Sequence, residues 1–143
     1  MVQSAYSGGV SWIYRAEGTK TYSGIVTEGK VYLEVDNFNG FIRVSTWDRP
    51  EYRIDLKIRA AGSSQKNAED NLASLKVNLD ERSDQGQKRL ALSYDVPFLA
   101  YSRYSIEVEA VLPSNTVIGL DLESTNGGIF LNDIKGDVLK AST

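Results

Sequence analysis

Residues 36–48, "DNFNGFIRVSTWD", set an Asn-Gly pair between two alternating apolar runs, and residues 123–137, "ESTNGGIFLNDIKGD", echo them. When Asn39-Gly40 is laid on Asn126-Gly127, an offset of 87 residues, Leu33 meets Leu120, Val35 meets Leu122, Ile42 meets Ile129 and Val44 meets Leu131. What recurs is a turn flanked by period-two apolar positions, which place side chains on opposite faces of a strand. Asn and Gly both tolerate the positive φ that a tight turn between strands requires, so Asn39, Gly40, Asn126 and Gly127 read as structural turns. The competing reading is a cation site built from Asp36, Asn37 and Asn39, or from Asp121, Glu123 and Asn126, but neither set has EF-hand spacing.

The same alternation continues along the chain. Ile54, Leu56 and Ile58 alternate with Asp55, Lys57 and Arg59. Leu90, Leu92 and Tyr94 repeat the pattern, as do Ile106, Val108 and Ala110 against Glu107 and Glu109, and Ile118, Leu120 and Leu122 against Asp121 and Glu123. Each reads as a strand with one dry and one wet face. If the strand around residue 57 neighbours the one around residue 108, opposite charges pair across the ladder and help to set register.

One segment departs from alternation. In "SSQKNAEDNLASLKV", residues 63–77, Ala68, Leu72 and Leu75 come together at helical spacing, with Ser63 or Ser64 available as N-cap. This predicts a short helix sealing one end or face of the core. Pro50, Pro97 and Pro113 fall where alternation starts or stops. After Asn126 the runs shorten and turn residues crowd together, which predicts rungs of a solenoid or a tight meander.

Composition narrows the function. The 143 residues suit a single domain with an adequate core. Sixteen Lys and Arg interleave with nineteen Asp and Glu for a net charge of −3, so no basic stripe tracks a nucleic-acid backbone. There is no Cys and no His, which removes Cys nucleophiles, Ser-His-Asp triads, Cys/His zinc sites and His proton shuttles. No cofactor or metal is expected, and no segment is long and apolar enough to insert in a membrane.

Residues 1–19 read as a polar lead segment, and "MVQSAYSGGVSW" lacks the charged and apolar regions of an export signal. The expectation is that a signal preceded residue 1 in the native protein, placing it in the cell envelope or outside the cell. A native start at Met1 would place it in the cytoplasm instead. "VLKAST" resembles "GLDLEST", so the polypeptide is expected to continue into another rung.

Taken in order, an apolar strand into Asn-Gly, "GFIRVSTWD", "YRIDLKIRA", a short helix, "VEAVLP" and "PSNTVIGLDLESTNGGIFLNDIKGD" resemble the adhesin-like β-repeat family, domains of unknown function found mostly in prokaryotic envelope proteins. The likeness covers residues 20–143. It implies a β-solenoid-like, parallel β-helix-like stack or a sandwich, an exported protein and no enzyme activity, and it carries over no ligand residues. The fold expectation is therefore mainly β with one short helix, a solenoid-like stack of short strands, the alternative being an antiparallel β-sandwich.

Three further features invite a functional reading. Trp47 reads as a core aromatic, although parity from Ile42 and Val44 puts it on the opposite face unless the strand bulges, and an exposed Trp could stack on a sugar. Phe98, Leu99 and Tyr101, in the connection "YDVPFLAYSRY", form a candidate contact patch or fold over the open end of the core. Asp121, Glu123, Asp133 and Asp137 are the candidates for an acidic carbohydrate-active enzyme, the least favoured reading. The favoured one is a non-catalytic envelope or surface module, structural or adhesive, that presents a β surface to a protein or glycan and can form homo-oligomers through strand edges. A self-assembling regulatory scaffold of a membrane-associated stress-response protein is the alternative.

Overall fold

A computed structural model describes residues 14–96 and 103–134, together with the backbone of 136–142. These residues form ten strands and one helix, in the order β1 (Tyr14–Ile25), β2 (Lys30–Asn39), β3 (Ile42–Trp47), β4 (Glu51–Gly62), α1 (Gln65–Ser74), β5 (Lys76–Asp84), β6 (Gln87–Asp95), β7 (Tyr104–Pro113), β8 (Val117–Asn126), β9 (Ile129–Leu131) and β10 (Gly136–Ser142). They build two five-stranded sheets, the first ordered β1-β4-β7-β3-β9 and the second β10-β8-β2-β6-β5. Both are mixed. In the first, β7, β3 and β9 run parallel while β1, β4 and β7 pair antiparallel. In the second, β10, β8, β2 and β6 run parallel and β5 pairs antiparallel to β6. The fold is thus mainly β and sandwich-like, and its mixed sheets correct the expectation of an antiparallel sandwich.

The inward phases of both sheets meet in one core. Leu33, Val35, Leu90, Leu92, Leu120 and Leu122 come from the second sheet; Ile42, Val44, Ile54, Leu56, Ile106, Val108 and Ala110 come from the first. Each fully buried aliphatic side chain contributes roughly 1.5–3 kcal/mol. The parallel ladders stack like on like: Leu33 lies between Leu90 and Leu120, and Ile42 between Val108 and Ile129.

The helix occupies less than the predicted span. Its N-cap is Ser64, whose hydroxyl accepts from the Asn67 N–H at 3.0 Å, and Leu75 ends it in extended conformation. It packs on β1 and β4, burying Ala68. The first strand corrects the polar lead: residues 14–19 belong to β1, an edge strand in which Ala16 alone is buried. An edge strand with most side chains in water needs little apolar sequence, so alternation is faint there. No described helix is long and apolar enough to cross a membrane.

Candidate functional site

The repeated Asn-Gly pairs are corners between the two sheets. Each carries the chain out of the second sheet and into the first, β2 to β3 at Gly40 and β8 to β9 at Gly127, with φ of 121° and 141°. The corners stack, because Asn39 pairs with Asn126 and Ile42 with Ile129 across the two parallel ladders. The Gly40 N–H donates to the Asn126 carbonyl at 2.7 Å and the Ile42 N–H to the Gly128 carbonyl at 2.9 Å. On the far side the Val108 N–H donates to the Phe41 carbonyl at 3.0 Å, tying in the middle of β7.

Side chains complete the corner from within. Asn37 and Ser124 are both fully buried and adjacent in register. The Asn37 amide donates to the Gly40 carbonyl at 3.2 Å and the Ile106 carbonyl at 3.0 Å, and its Oδ1 accepts from the Phe38 N–H. The Ser124 hydroxyl donates to the Gly40 carbonyl at 2.8 Å, and the Asn39 amide to the Tyr104 carbonyl at 2.9 Å. Buried carbonyls need such donors. The NH₂ groups of Asn37 and Asn39 thus serve backbone carbonyls, and no described cluster of three or more acidic groups is placed to hold a metal ion.

The outer face of the first sheet carries ordered charge. Arg59 bridges β1 and β7, reaching Glu17 at 3.0 Å and Glu107 at 3.2 Å. Arg43 reaches Glu109 at 3.5 Å, and Asp55 is held by Arg53 at 2.9 Å and by the Thr21 hydroxyl at 2.7 Å. Arg59, by hydrogen bond first and by charge second, keeps the Glu17 carboxyl below the usual carboxylate range. The expected cross-strand pairing is present between Arg59 and Glu107, while Asp55 faces Glu109 across the ladder and relies on Arg53 and Thr21. At one end of this face Arg15, Arg59 and Arg103 line an open cleft of about 410 Å³ floored by Ala60, Ala61, Tyr104 and Ser105, with Asn39 at its margin. No sequence signal pointed to this cleft, since its arginines lie on three separate segments.

An inward-facing ionic cluster left a single trace in the sequence. Lys88 is 7% exposed and follows the same phase as Leu90 and Leu92, which was the available clue. Its ammonium lies 2.9 Å from Glu81, which also accepts from the Tyr52 hydroxyl, and 3.9 Å from Glu28. The Tyr52 hydrogen bond, followed by that from Lys88, lowers the Glu81 carboxyl from its ordinary 4.5. A depressed carboxylate stabilises the fold fully above its unfolded value, and that contribution drains away as pH falls through the folded value. Glu81→Gln is accordingly expected to flatten the acid-side loss of melting temperature between about pH 6 and about pH 3, and an unchanged pH profile would refute the coupling.

Trp47 is not in the core. It is half-buried at the end of β3, its indole N–H donating to the Glu51 carbonyl at 2.8 Å and the Arg49 guanidinium lying 4.9 Å from the ring centre. The parity of Ile42 and Val44 holds to the strand end, so Trp47 turns outward to cover the bend into β4. With Trp12 replaced by Phe, Trp47 fluorescence is expected to show quenching by acrylamide intermediate between a free and a buried indole; complete protection would contradict this placement.

Asp121 and Glu123 lie on the outer face of β8 opposite Glu34 and Asp36, and Asp133 sits in the turn after β9 at φ 56°. Asp137 begins β10, where only the backbone is described. Asp121 and Glu123 thus share one outward face of the second sheet, and Asp133 lies in a turn that leaves the first. Phe98, Leu99 and Tyr101 lie outside the described residues. Nearby, Tyr94 packs edge-on against Phe38 at 5.8 Å, and burial raises its phenol pKa.

No protein-family model and no curated protein matches the chain. A solved structure of a candidate cell adhesion protein from Clostridium sporogenes is similar in fold, with a TM-score of 0.53 and 13% identity over 80% of this chain. The likeness spans 51% of that protein's chain, about half its length.

Proposed function

We propose that this chain is a non-catalytic module of the cell envelope or cell surface, structural or adhesive, that presents a rigid β face to a protein or glycan partner. The observation that carries this reading is the ordered charge on the outer face of the first sheet. Exposed ion pairs contribute only about 0–1 kcal/mol each to stability. Their main effect is to fix the positions of Arg43, Arg53 and Arg59 on a sheet whose other face is the core. Fixed charge on a flat surface favours selective, steered association.

The fold supports rigidity through what we read as solenoid-like coils. In this reading β6–β7, β2–β3 and β8–β9 are successive turns, β10 begins another, and the antiparallel strands β1, β4 and β5 close the opposite end. Stacked corners and like-on-like apolar columns favour it. The adhesion protein with a similar fold is in keeping with a surface location.

The test is binding of the purified full chain to immobilised mucin-type glycoprotein and matrix proteins. Arg43→Glu with Arg53→Glu is expected to lower binding at least about fivefold, while Glu34→Lys with Asp121→Lys on the other outer face leaves it within about twofold. Binding that ignores both pairs of substitutions would overturn the reading. A second reading, self-assembly as a regulatory scaffold, is favoured by the edge strand β9, where Phe130 and Leu131 are 49% and 37% exposed. Concentration-dependent association abolished by Leu131→Lys in sedimentation would support it over the first.

A further inference from the structure

We propose that the arginine-lined cleft at the end of the first sheet binds an oxyanion carried on a sugar ring, either a sulfate or a carboxylate. The proposal rests on the reading of this face as a recognition surface and specifies the chemistry of its partner.

The cleft arises from register. Arg15 stands opposite Ala61 on the β1–β4 ladder, and Arg59 stands opposite Ser105 on the β4–β7 ladder. Between the arginines the outward side chains are a methyl group and a hydroxymethyl group, so the floor is low and the walls are guanidinium. Arg103 enters from the residue preceding β7. None of the described residues that line the cleft is a carboxylate. Glu17 and Glu107 do not line it, yet they grip Arg59 through Nε and Nη1, which holds that guanidinium in place before any ligand arrives. Preorganisation of this kind reduces the entropy lost on binding.

Guanidinium groups suit a bidentate oxyanion, as carboxylate and sulfate both are. The Ser105 hydroxyl on the floor and the side-chain oxygen of Asn39 at the margin, whose NH₂ serves Tyr104, offer polar groups to ring hydroxyls. The volume falls within the ~300–1,000 Å³ usual for small-ligand sites. An acidic peptide fits less well: β4 and β7, which carry the floor, are paired on both sides, so the floor offers no free backbone edge to which a peptide strand could be added.

The experiment is calorimetry of the full chain at low salt with four probes: a heparin-derived sulfated hexasaccharide, an oligogalacturonate of equal length, a neutral malto-oligosaccharide and a glutamate hexapeptide. The sulfated or the carboxylated sugar is expected to bind, and which of them does so identifies the oxyanion. Arg15→Gln with Arg103→Gln should weaken that binding about tenfold or more, whereas Lys57→Gln, on the same face outside the cleft, should change it less than about twofold. Unchanged melting temperatures would show that these surface variants stay folded.

Absence of binding by both acidic sugars would overturn the proposal. So would equal loss in Lys57→Gln, which marks diffuse attraction, or glutamate peptide binding as tight as the sugars, which marks an acidic-peptide site. If the sugars fail while the Arg43/Arg53 variant still loses surface binding, this inference falls and the surface-module reading stands.

Discussion

Replacing Gly40 by alanine is expected to destabilise the chain by at least about 3 kcal/mol, a large share of the ~5–15 kcal/mol that a folded domain has in total. Two independent costs add. At φ 121° the residue lies where side-chain-bearing residues are rarely found. A Cβ built there would also stand 2.0 Å from the Ile106 carbonyl oxygen and 2.7 Å from its carbon. Both are backbone atoms of β7, and that same oxygen accepts from Asn37, so it can retreat only by breaking a buried hydrogen bond. Gly86 supplies the control. It too has positive φ, 77°, but a Cβ there meets nothing within 4 Å, so Gly86→Ala should cost only about 1 kcal/mol. Urea unfolding of the two variants separates steric stacking from turn preference. Equal losses would mean that the corner at Gly40 is not pressed against β7.

The contrast explains which parts of this architecture were legible. The strand pairs β2–β3 and β8–β9 repeat at 87 residues in both sheets, because the two corners have the same length, and an unbroken offset is visible in sequence. The pair β6–β7 lies beside β2 and β3 in the same two sheets but is hidden. Leu90 pairs with Leu33 at an offset of 57, whereas Val108 pairs with Ile42 at 66, so its connection carries nine additional residues and no Asn-Gly. A repeat whose halves are displaced differently leaves no fixed period to find. Strand pairing direction was illegible for a related reason: alternation reports which face is dry, and parallel and antiparallel neighbours can share one dry face.

Polar residues in the apolar phase were the signal most easily misread. Asn37 continues the inward series Val31, Leu33, Val35, and Lys88 precedes Leu90 and Leu92 in theirs. An amide or ammonium at such a position must find partners inside. The arginine cleft left no comparable trace, because Arg15, Arg59 and Arg103 are ordinary outward residues until the β1–β4 and β4–β7 registers bring them together.

Asn37 should therefore be the costliest side chain to alter at the corner, and changing it to aspartate should cost more than removing its neighbour Ser124. Asn37→Asp preserves shape and keeps the acceptor for the Phe38 N–H, but it replaces an NH₂ that serves two carbonyls with an oxygen facing both. Two buried acceptors lose a donor and a charge enters a dry site, so about 3 kcal/mol or more is expected at neutral pH. Ser124→Ala should cost about 1 kcal/mol, because the Gly40 carbonyl keeps its bond from Asn37. The pH dependence distinguishes electrostatics from lost packing. A carboxyl buried against carbonyl oxygens has its folded pKa raised above the unfolded value, so the penalty is full at high pH and shrinks as pH falls through the folded value toward the unfolded one. Protonation also restores one donor. The stability gap between wild type and Asn37→Asp should consequently narrow on acidification, even as the wild type itself weakens through carboxylates such as Glu81. A gap that stays constant with pH in urea unfolding would show that the residue at position 37 does not face the Gly40 and Ile106 carbonyls.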